Sequence, residues 1–336
     1  TKTATFALSF GMFSFQFFMG SPQSSKRTKI EDDDISKFLK LKDRFPINCF
    51  THAPYIYNLA NSDKNIKSLE DEINTANIAK QEGLDVKEIS LKELKKLEPS
   101  VALDVKGATY YKCDSHSTPH EFMDEMKTYL KNKGVVFYAN EKVEDIEIEN
   151  QKISTIKTNK QVLKADEFVL AAGSWSAFLN KKSGLKLLIQ AGKGYRINSE
   201  IQTNISIPAI LAEAKVAVTP MNGFTRFAGT MEIAGINHDI NKVRVEAIAD
   251  AVKRYYPEIN LTSEEKSNAA SGLRPVSPDG LPYIGKSSKC KNLTIATGHA
   301  MMGWSMGTAT GKLVSEIISE QKPSLELDNY HPDRIF

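Results

Sequence analysis

The residues of this 336-residue chain best suited to chemistry lie in two stretches near its end. Residues 272–285 read Gly-Leu-Arg-Pro-Val-Ser-Pro-Asp-Gly-Leu-Pro-Tyr-Ile-Gly, and residues 292–305 read Asn-Leu-Thr-Ile-Ala-Thr-Gly-His-Ala-Met-Met-Gly-Trp-Ser. In the first, Arg274 stands alone in a loop stiffened by Pro and Gly. A guanidinium is a planar fork and can hold a carboxylate through two parallel hydrogen bonds. A surface arginine in a tight loop is the plainer alternative. In the second, an apolar run ends in a glycine-rich turn, and a helical pattern follows to Ile318. Glycines there let the backbone approach a ligand, and the first N–H groups of a helix supply donors for electron-rich atoms. An ordinary strand-to-helix joint would read the same way, and His299 alone reads more readily as a structural turn residue than as an acid or base.

Other candidates are weaker. Ala171-Ala-Gly173-Ser-Trp175-Ser has the small residues that let a strand end approach a dinucleotide, as many such joints do. Gly192-Lys-Gly194-Tyr-Arg196 lacks the spacing of a nucleotide-triphosphate cradle, and no G-x-S-x-G nucleophile elbow is present. Asp114, His116 and His120 could form an acid/base cluster, but a helix start at Thr118–Glu121 already explains that region. Six histidines without HxH or HExxH grouping and three scattered cysteines (Cys49, Cys113, Cys290) argue against a metal site and a disulfide framework. A reducing, cytoplasmic setting is the simpler reading. The net charge of +3, from 44 basic and 41 acidic residues, gives no case for nucleic acid as a partner.

The elements that must position these residues follow from periodicity. Ile66, Leu69, Ile73 and Ala76 predict a helix over 62–83, ended by Gly83. Ser90-Leu-Lys-Glu93 is a capping box, and Thr118-Pro-His-Glu121 predicts another, opening a helix with the apolar stripe Phe122, Met126, Tyr129 and Leu130. Val135–Tyr138 reads as a buried strand. Strands follow over 143–170, with turns near Glu149-Asn150 and Thr158-Asn159, and over 205–235, with a turn at Pro220–Gly223. Val245, Ile248, Ala249, Val252 and Tyr255 predict a helix over 241–256. A last strand at Ile295-Ala296 precedes a last helix with an apolar face at Thr310, Leu313, Val314 and Ile317. The mixture is α/β, with two lobes woven together.

The start of the chain is unusual. Residues 3–25 carry no charge and six phenylalanines, in a stretch too rich in Ser, Thr, Gln and Gly for a good spanning helix. Targeting segment, membrane anchor and ragged start of a partial sequence are the three readings, and the last is preferred.

Taken in order, several segments resemble the FAD-dependent D-amino acid oxidase superfamily, most closely its D-amino acid dehydrogenase branch. They are Lys96-Leu-Glu-Pro99, Gly107-Ala-Thr-Tyr-Tyr111 with Asp114 and Pro119-His120, Val143, Leu170–Trp175, Gly192–Tyr195, Arg226–Glu232, Gly272–Gly285 and Ala296–Gly311. No single segment is specific; the ordered combination is. The resemblance implies an FAD-binding Rossmann-like domain (101–184 and 276–320), incomplete at its N-terminus. An antiparallel-sheet substrate domain (46–100 and 185–275) would be interwoven with it, beside an atypical segment (1–45) and a C-terminal tail (321–336). It implies oxidative deamination of a D-amino acid to a 2-oxo acid and ammonia by hydride transfer to FAD. The electrons would pass to a quinone or another non-oxygen carrier, with peripheral contact at the inner membrane left open. It places the substrate carboxylate on Arg274 and Tyr195 in the flavin pocket. It assigns cofactor contacts to Val143 (adenine), Gly173 and Trp175 (near the diphosphate) and to Gly298, His299, Ala300, Met301, Met302, Gly303, Trp304 and Ser305 (around the flavin ring). No metal is implied. The alternatives are a glycine- or sarcosine-type amine oxidase, and a partial, non-catalytic chain.

Members of that family open with a strand, a G-x-G-x-x-G turn and a helix that hold the FAD diphosphate. Residues 1–60 contain no such motif. The expectation is an N-terminally incomplete dehydrogenase that binds FAD weakly or not at all by itself. Absorbance of the purified chain near 450 nm, about where oxidised flavins absorb through the cofactor's own chemistry, is therefore expected to show well under one FAD per chain. A yellow preparation with near-stoichiometric FAD would overturn the expectation.

Overall fold

A computed structural model describes residues 14–17, 48–51, 57–61, 66–68 and 179 in backbone only, together with 69–178 and 184–334. The atypical N-terminal segment, apart from Ser14–Phe17, lies outside the described residues, as does Lys181-Lys182. Sixteen strands are described: β1 (Ser14–Phe17), β2 (Asn48–Thr51), β3 (Tyr57–Asn61), β4 (Val86–Ser90), β5 (Val105–Tyr111), β6 (Val143–Glu149), β7 (Lys152–Thr158), β8 (Val162–Leu163), β9 (Phe168–Leu170), β10 (Gln190–Ser199), β11 (Ala209–Leu211), β12 (Val216–Met221), β13 (Phe224–Ile233), β14 (Ala270–Val276), β15 (Tyr283–Lys286) and β16 (Leu293–Thr297). The helices are α1 (Ile66–Gln81), α2 (Leu91–Leu97), α3 (Pro119–Asn132), α4 (Lys242–Tyr255), α5 (Ser263–Ser267) and α6 (Gly303–Ile318). The largest sheet runs β14-β10-β13-β12-β11-β3-β5-β4; smaller ones are β15-β16-β9, β6-β7-β8 and β1-β2. The fold is mixed α/β with extensive antiparallel pairing.

The chain divides into two compact units. The first comprises Thr1–Met123, Gly194–Met231 and His238–Ser271, and the second Asp124–Lys193, Glu232–Asn237 and Gly272–Phe336. In the first unit α4 supplies Val245, Ile248, Ala251, Val252 and Tyr255 to a core that also contains Ile89, Leu211, Val218 and Phe227. Each fully buried aliphatic side chain there contributes about 1.5–3 kcal/mol. Asn241 caps α4 by accepting the Val243 N–H, and the helix stops before Pro257, which cannot continue it. The capping box expected at Ser90 and Glu93 is present in full. Glu98, from the Lys96–Pro99 segment, is buried and accepts from Ser206 N, Ser206 Oγ and Ile207 N. Burial raises its carboxyl pKa despite those bonds.

The second unit is built on β9 and β16, which run parallel, with β15 antiparallel on the far side of β16. Its core holds Phe168, Leu170, Leu187, Tyr283, Leu293 and Ile295. Buried Asn292 ties the neighbouring sheet to it. Its Oδ1 accepts from Ile153 N at 2.8 Å and its Nδ2 donates to Ile153 O at 3.0 Å. The hairpin between β6 and β7 turns where sequence placed it, with Asn150 and Gln151 both at positive φ.

Three expectations are corrected. The second capping box is not used as one: Thr118 Oγ1 accepts from Asn222 N at 3.3 Å and Glu121 Oε1 from Asn222 Nδ2 at 2.7 Å, so both side chains hold the turn between β12 and β13. The apolar stripe of α3 is not core, because Phe122, Met126 and Tyr129 are exposed and α3 has no buried residue. Val135–Tyr138 is not a buried strand: its backbone is irregular and Val136 is 67% exposed. An apolar run becomes a strand only where another strand takes up its N–H and C=O groups, and none pairs with it among the described residues.

Burial pushes the Asp114 carboxyl up from 3.8 to about 6. A carboxyl with a raised folded pKa holds its proton more tightly folded than unfolded. Its contribution to stability is therefore greatest below about pH 4 and declines as pH rises through 6. Replacing Asp114 by Asn is expected to stabilise the chain at pH 8 by up to about 3 kcal/mol, less for partial exposure, and to change little at pH 4. Thermal melts at the two pH values test this; equal shifts at both would exclude the titration.

Candidate functional site

Arg274 does not sit in a loop. It belongs to β14, an edge strand of the large sheet. Pro275 follows it in the same strand, and proline is tolerated at an edge because its missing N–H leaves no inner ladder bond unmade. Its carbonyl accepts the Ala300 N–H at 2.8 Å, and Val276 forms an antiparallel bridge with His299. The strand bearing Arg274 is thus joined by backbone to the glycine turn. The Arg274 side chain is only partly exposed, and its Nη1 is buried.

The turn is built from unusual backbone. Gly298 has φ +84° and Ala300 has φ +48°, a left-handed conformation that costs a non-glycine residue roughly 1–2 kcal/mol. Bonds on both sides hold Ala300 there, including Met302 N to His299 O at 2.8 Å. A Cβ at Gly298 would lie 3.0 Å from Tyr283 Cδ2, so the Tyr283 ring fills the space beneath the turn. His299 points into the protein and its Nε2 pairs with Thr310 Oγ1 at 2.9 Å, one face of α6 tied back to the turn that starts it. Burial depresses the His299 pKa, which keeps the ring neutral near pH 7. α6 begins with no side-chain cap at Met302 and no acidic residue in its first turn. Its positive end is therefore not neutralised by its own sequence. Trp304 is 52% exposed at that end, and Met301 is exposed beside it, while Gly303 and Ser305 complete the first turn.

A second turn meets this one. After β9 the chain enters a tight helical segment, Gly173–Leu179. Thr297 Oγ1 donates to Gly173 O at 3.2 Å, and Ser176 Oγ donates to Thr297 Oγ1 at 3.1 Å. Gly173 has φ +54° with open space where a Cβ would stand, and Trp175 is exposed one turn on. An apolar groove of about 330 Å³ runs beside this segment, lined by Phe178, Ile189 and Ile233 among others. Its lining includes Ser174 and Ala177 of the Gly173 segment and Gln190 and Ala191 of β10.

Backbone bonds thus link the strand that carries Arg274 to the turn at His299–Ala300, and the Thr297 side chain links the strand ahead of that turn to Gly173. Val143 stands apart from them at the start of β6, in a separate three-stranded sheet, its side chain exposed. Tyr195 is 1% exposed and belongs to the apolar core of the first unit with Ile197, Phe227 and Ile248. Sequence reasoning gave no role at the turn to Tyr283, Thr297 or Thr310, which shape and fasten it; Thr310 was placed only on the apolar face of the last helix. Their signal was faint: each is buried, but only Thr297 adjoins the glycine turn in sequence. Among the described residues no cluster of His, Cys, Asp and Glu could hold a metal ion.

A family model described as FAD dependent oxidoreductase matches residues 9–317. The D-amino acid dehydrogenase of Vibrio vulnificus (strain CMCP6) is 31% identical over 263 residues, which is 75% of this chain and 62% of that protein. The D-amino acid dehydrogenase of Vibrio atlanticus (strain LGP32) is 33% identical over 226 residues, 66% of this chain and 54% of that protein. The chain spans less than two thirds of the length of these curated relatives. Among solved structures, glycine oxidase from Geobacillus kaustophilus superposes with a TM-score of 0.75 at 18% identity, over 99% of this chain and 95% of that one. L-proline dehydrogenase from P. horikoshii gives 0.69 at 22% identity, over 82% and 75%. These two share the fold. No helix among the described residues is long and apolar enough to cross a membrane.

Gly298→Ala adds a methyl group both at positive φ and against a ring; Gly173→Ala adds one at positive φ into open space. Thermal or urea denaturation is expected to cost Gly173→Ala about 1 kcal/mol and Gly298→Ala about 2 kcal/mol or more. Equal costs would mean that the Tyr283 contact constrains nothing.

Proposed function

The chain belongs to the FAD-dependent oxidoreductase family, and from that premise we propose that the whole protein oxidises the amine beside the carboxylate of a D-amino acid, giving a 2-oxo acid and ammonia. The observation that carries the reading is the backbone junction of the Arg274 strand with the Gly298–Gly303 turn. One side of the junction offers a bidentate carboxylate holder. The other offers a helix end whose donors and positive potential suit an electron-rich ring edge. Left-handed backbone at Gly298 and Ala300, the uncapped start of α6 and the open face of Gly173 all fit a flavin dinucleotide. Val143 would meet the adenine through its backbone.

Bound FAD supplies the hydride acceptor. Arg274 holds the carboxylate, which fixes the α-carbon relative to the turn, and orientation of this kind lowers the barrier without a side-chain base. His299 keeps the turn closed through its bond with Thr310. The D-amino acid dehydrogenase relatives at 31 and 33% identity support the choice of D-amino acids over glycine or sarcosine. The same proposal gives segments 101–184 and 276–320 to the cofactor and 46–100 and 185–275 to the substrate. It passes the electrons to a quinone or another carrier rather than to oxygen.

Steady-state assays of the FAD-loaded protein with a dye acceptor test this, comparing D-alanine with sarcosine and glycine. D-alanine is expected to be turned over at least tenfold more efficiently. Arg274→Ala is expected to lower kcat/KM for D-alanine by about 10²–10³, the worth of a charge-assisted bidentate pair, with Arg274→Lys in between. Preference for sarcosine, or an Arg274→Ala enzyme with unaltered kcat/KM, would sink the reading.

A further inference from the structure

The segment Ser277–Pro282 links the strand that carries Arg274 to the strand that opens at Tyr283, and one side chain from the end of the chain holds it. Arg334 Nε and Nη2 donate to Asp279 Oδ2 and Oδ1 at 2.9 and 3.0 Å. Nη2 also donates to Leu281 O at 2.8 Å, and Nη1 to Pro282 O at 3.1 Å and His331 O at 3.4 Å. All five N–H donors of the guanidinium are thereby engaged. Its carbon stands 4.0 Å from the centroid of the Tyr283 ring. The Arg334 side chain is only 9% exposed, which separates this fork from the solvated surface pairs that contribute almost nothing. Burial alone would raise the Asp279 pKa, but the bonds from Arg334 and Leu281 N–H outweigh it and leave the carboxyl below its usual range.

The loop meets the candidate site at both ends. Upstream, Val276 and Pro275 are bonded to the glycine turn. Downstream, Tyr283 lies under Gly298 and its hydroxyl donates to Leu188 O at 3.1 Å. Within the loop, Ser277 Oγ donates to Leu281 O at 2.7 Å, and Asp279 Oδ1 accepts Leu281 N at 3.0 Å. These local bonds shape the loop but reach nothing outside it; Arg334 supplies the outside anchor. The tail is itself seated, with Asp333 Oδ2 accepting Ser288 N at 3.2 Å.

We propose that Arg334 is a positioning residue: by locking Ser277–Pro282 and the Tyr283 ring, it sets the register between Arg274 and the Gly298–Gly303 turn, and so makes the carboxylate site depend on the last residues of the chain. The proposal rests on the reading of Arg274 as carboxylate holder. A lysine could keep the charge over Tyr283 but not the fork.

Two measurements test it on the full chain. Hydrogen exchange of the Ala300 amide, which reports its bond to Pro275 independently of flavin, is expected to quicken about tenfold or more in Arg334→Ala and in Arg334→Lys, because local opening free energy falls when the anchor goes. In the FAD-loaded protein, both variants are expected to raise KM for D-alanine about tenfold with kcat within about twofold. In an Arg274→Ala background, Arg334→Ala should add less than about twofold, since residues acting as one unit are not additive. Unchanged Ala300 exchange, or a full multiplicative loss on top of Arg274→Ala, overturns the proposal. Quickened exchange together with an Arg274→Ala variant of normal KM instead overturns the carboxylate reading and leaves Arg334 as the anchor of the turn.

Discussion

The hydrogen bond from Ala300 N–H to Pro275 O, with the Val276–His299 bridge beside it, is the constraint on which the rest of the site depends. An arginine on an edge strand can swing over several ångströms, and a glycine turn at a strand end can adopt many shapes. Joined backbone to backbone, each restricts the other. The cost is visible in Ala300, held at a positive φ that only surrounding bonds can stabilise. Tyr283 from below, Thr310 from α6 and Thr297 from β16 then fix what the junction leaves free. The resulting site is backbone first: donors and dipoles are placed by main-chain geometry, and side chains hold that geometry in place.

This arrangement suits chemistry in which a cofactor does the electronic work. A protein that must ionise a nucleophile places perturbed acids and bases around it. Here the one titratable group inside the turn, His299, is pushed toward neutrality and occupied by a threonine hydroxyl. Burial also raises the tyrosines Tyr111, Tyr255 and Tyr256 in the first unit and Tyr283 and Tyr330 in the second, which keeps these phenols protonated rather than priming a nucleophile. What remains at the junction is a cation and an uncapped helix end, both suited to binding negative charge.

Much of this was legible in the sequence, for identifiable reasons. Capping residues and stop signals act within four positions, so the Ser90–Glu93 box and the stop before Pro257 could be read directly, while the Asn241 cap was taken as part of the helix itself. The turn at Gly298 could be read because glycine at a strand end has few other uses. Arg274 was noticed for its chemistry but placed in a loop, since Gly and Pro hide a strand whose partner is distant in sequence. Arg334 was invisible: its partners in the loop lie more than fifty positions upstream, and nothing in the sequence around it marks it as a clamp.

The apolar stripe of α3 shows the limit of pattern reading most plainly. Phe122, Met126 and Tyr129 recur at helical spacing, and the helix forms where they predict it. Yet periodicity reports which face of a helix prefers to leave water; it does not report what covers that face. Here that face is exposed, and the neighbouring run Val135–Tyr138, equally apolar, has not become a strand. The same sequence stretch is thus correct about local structure and wrong about burial, because local structure is a property of a dozen residues and burial is a property of everything around them.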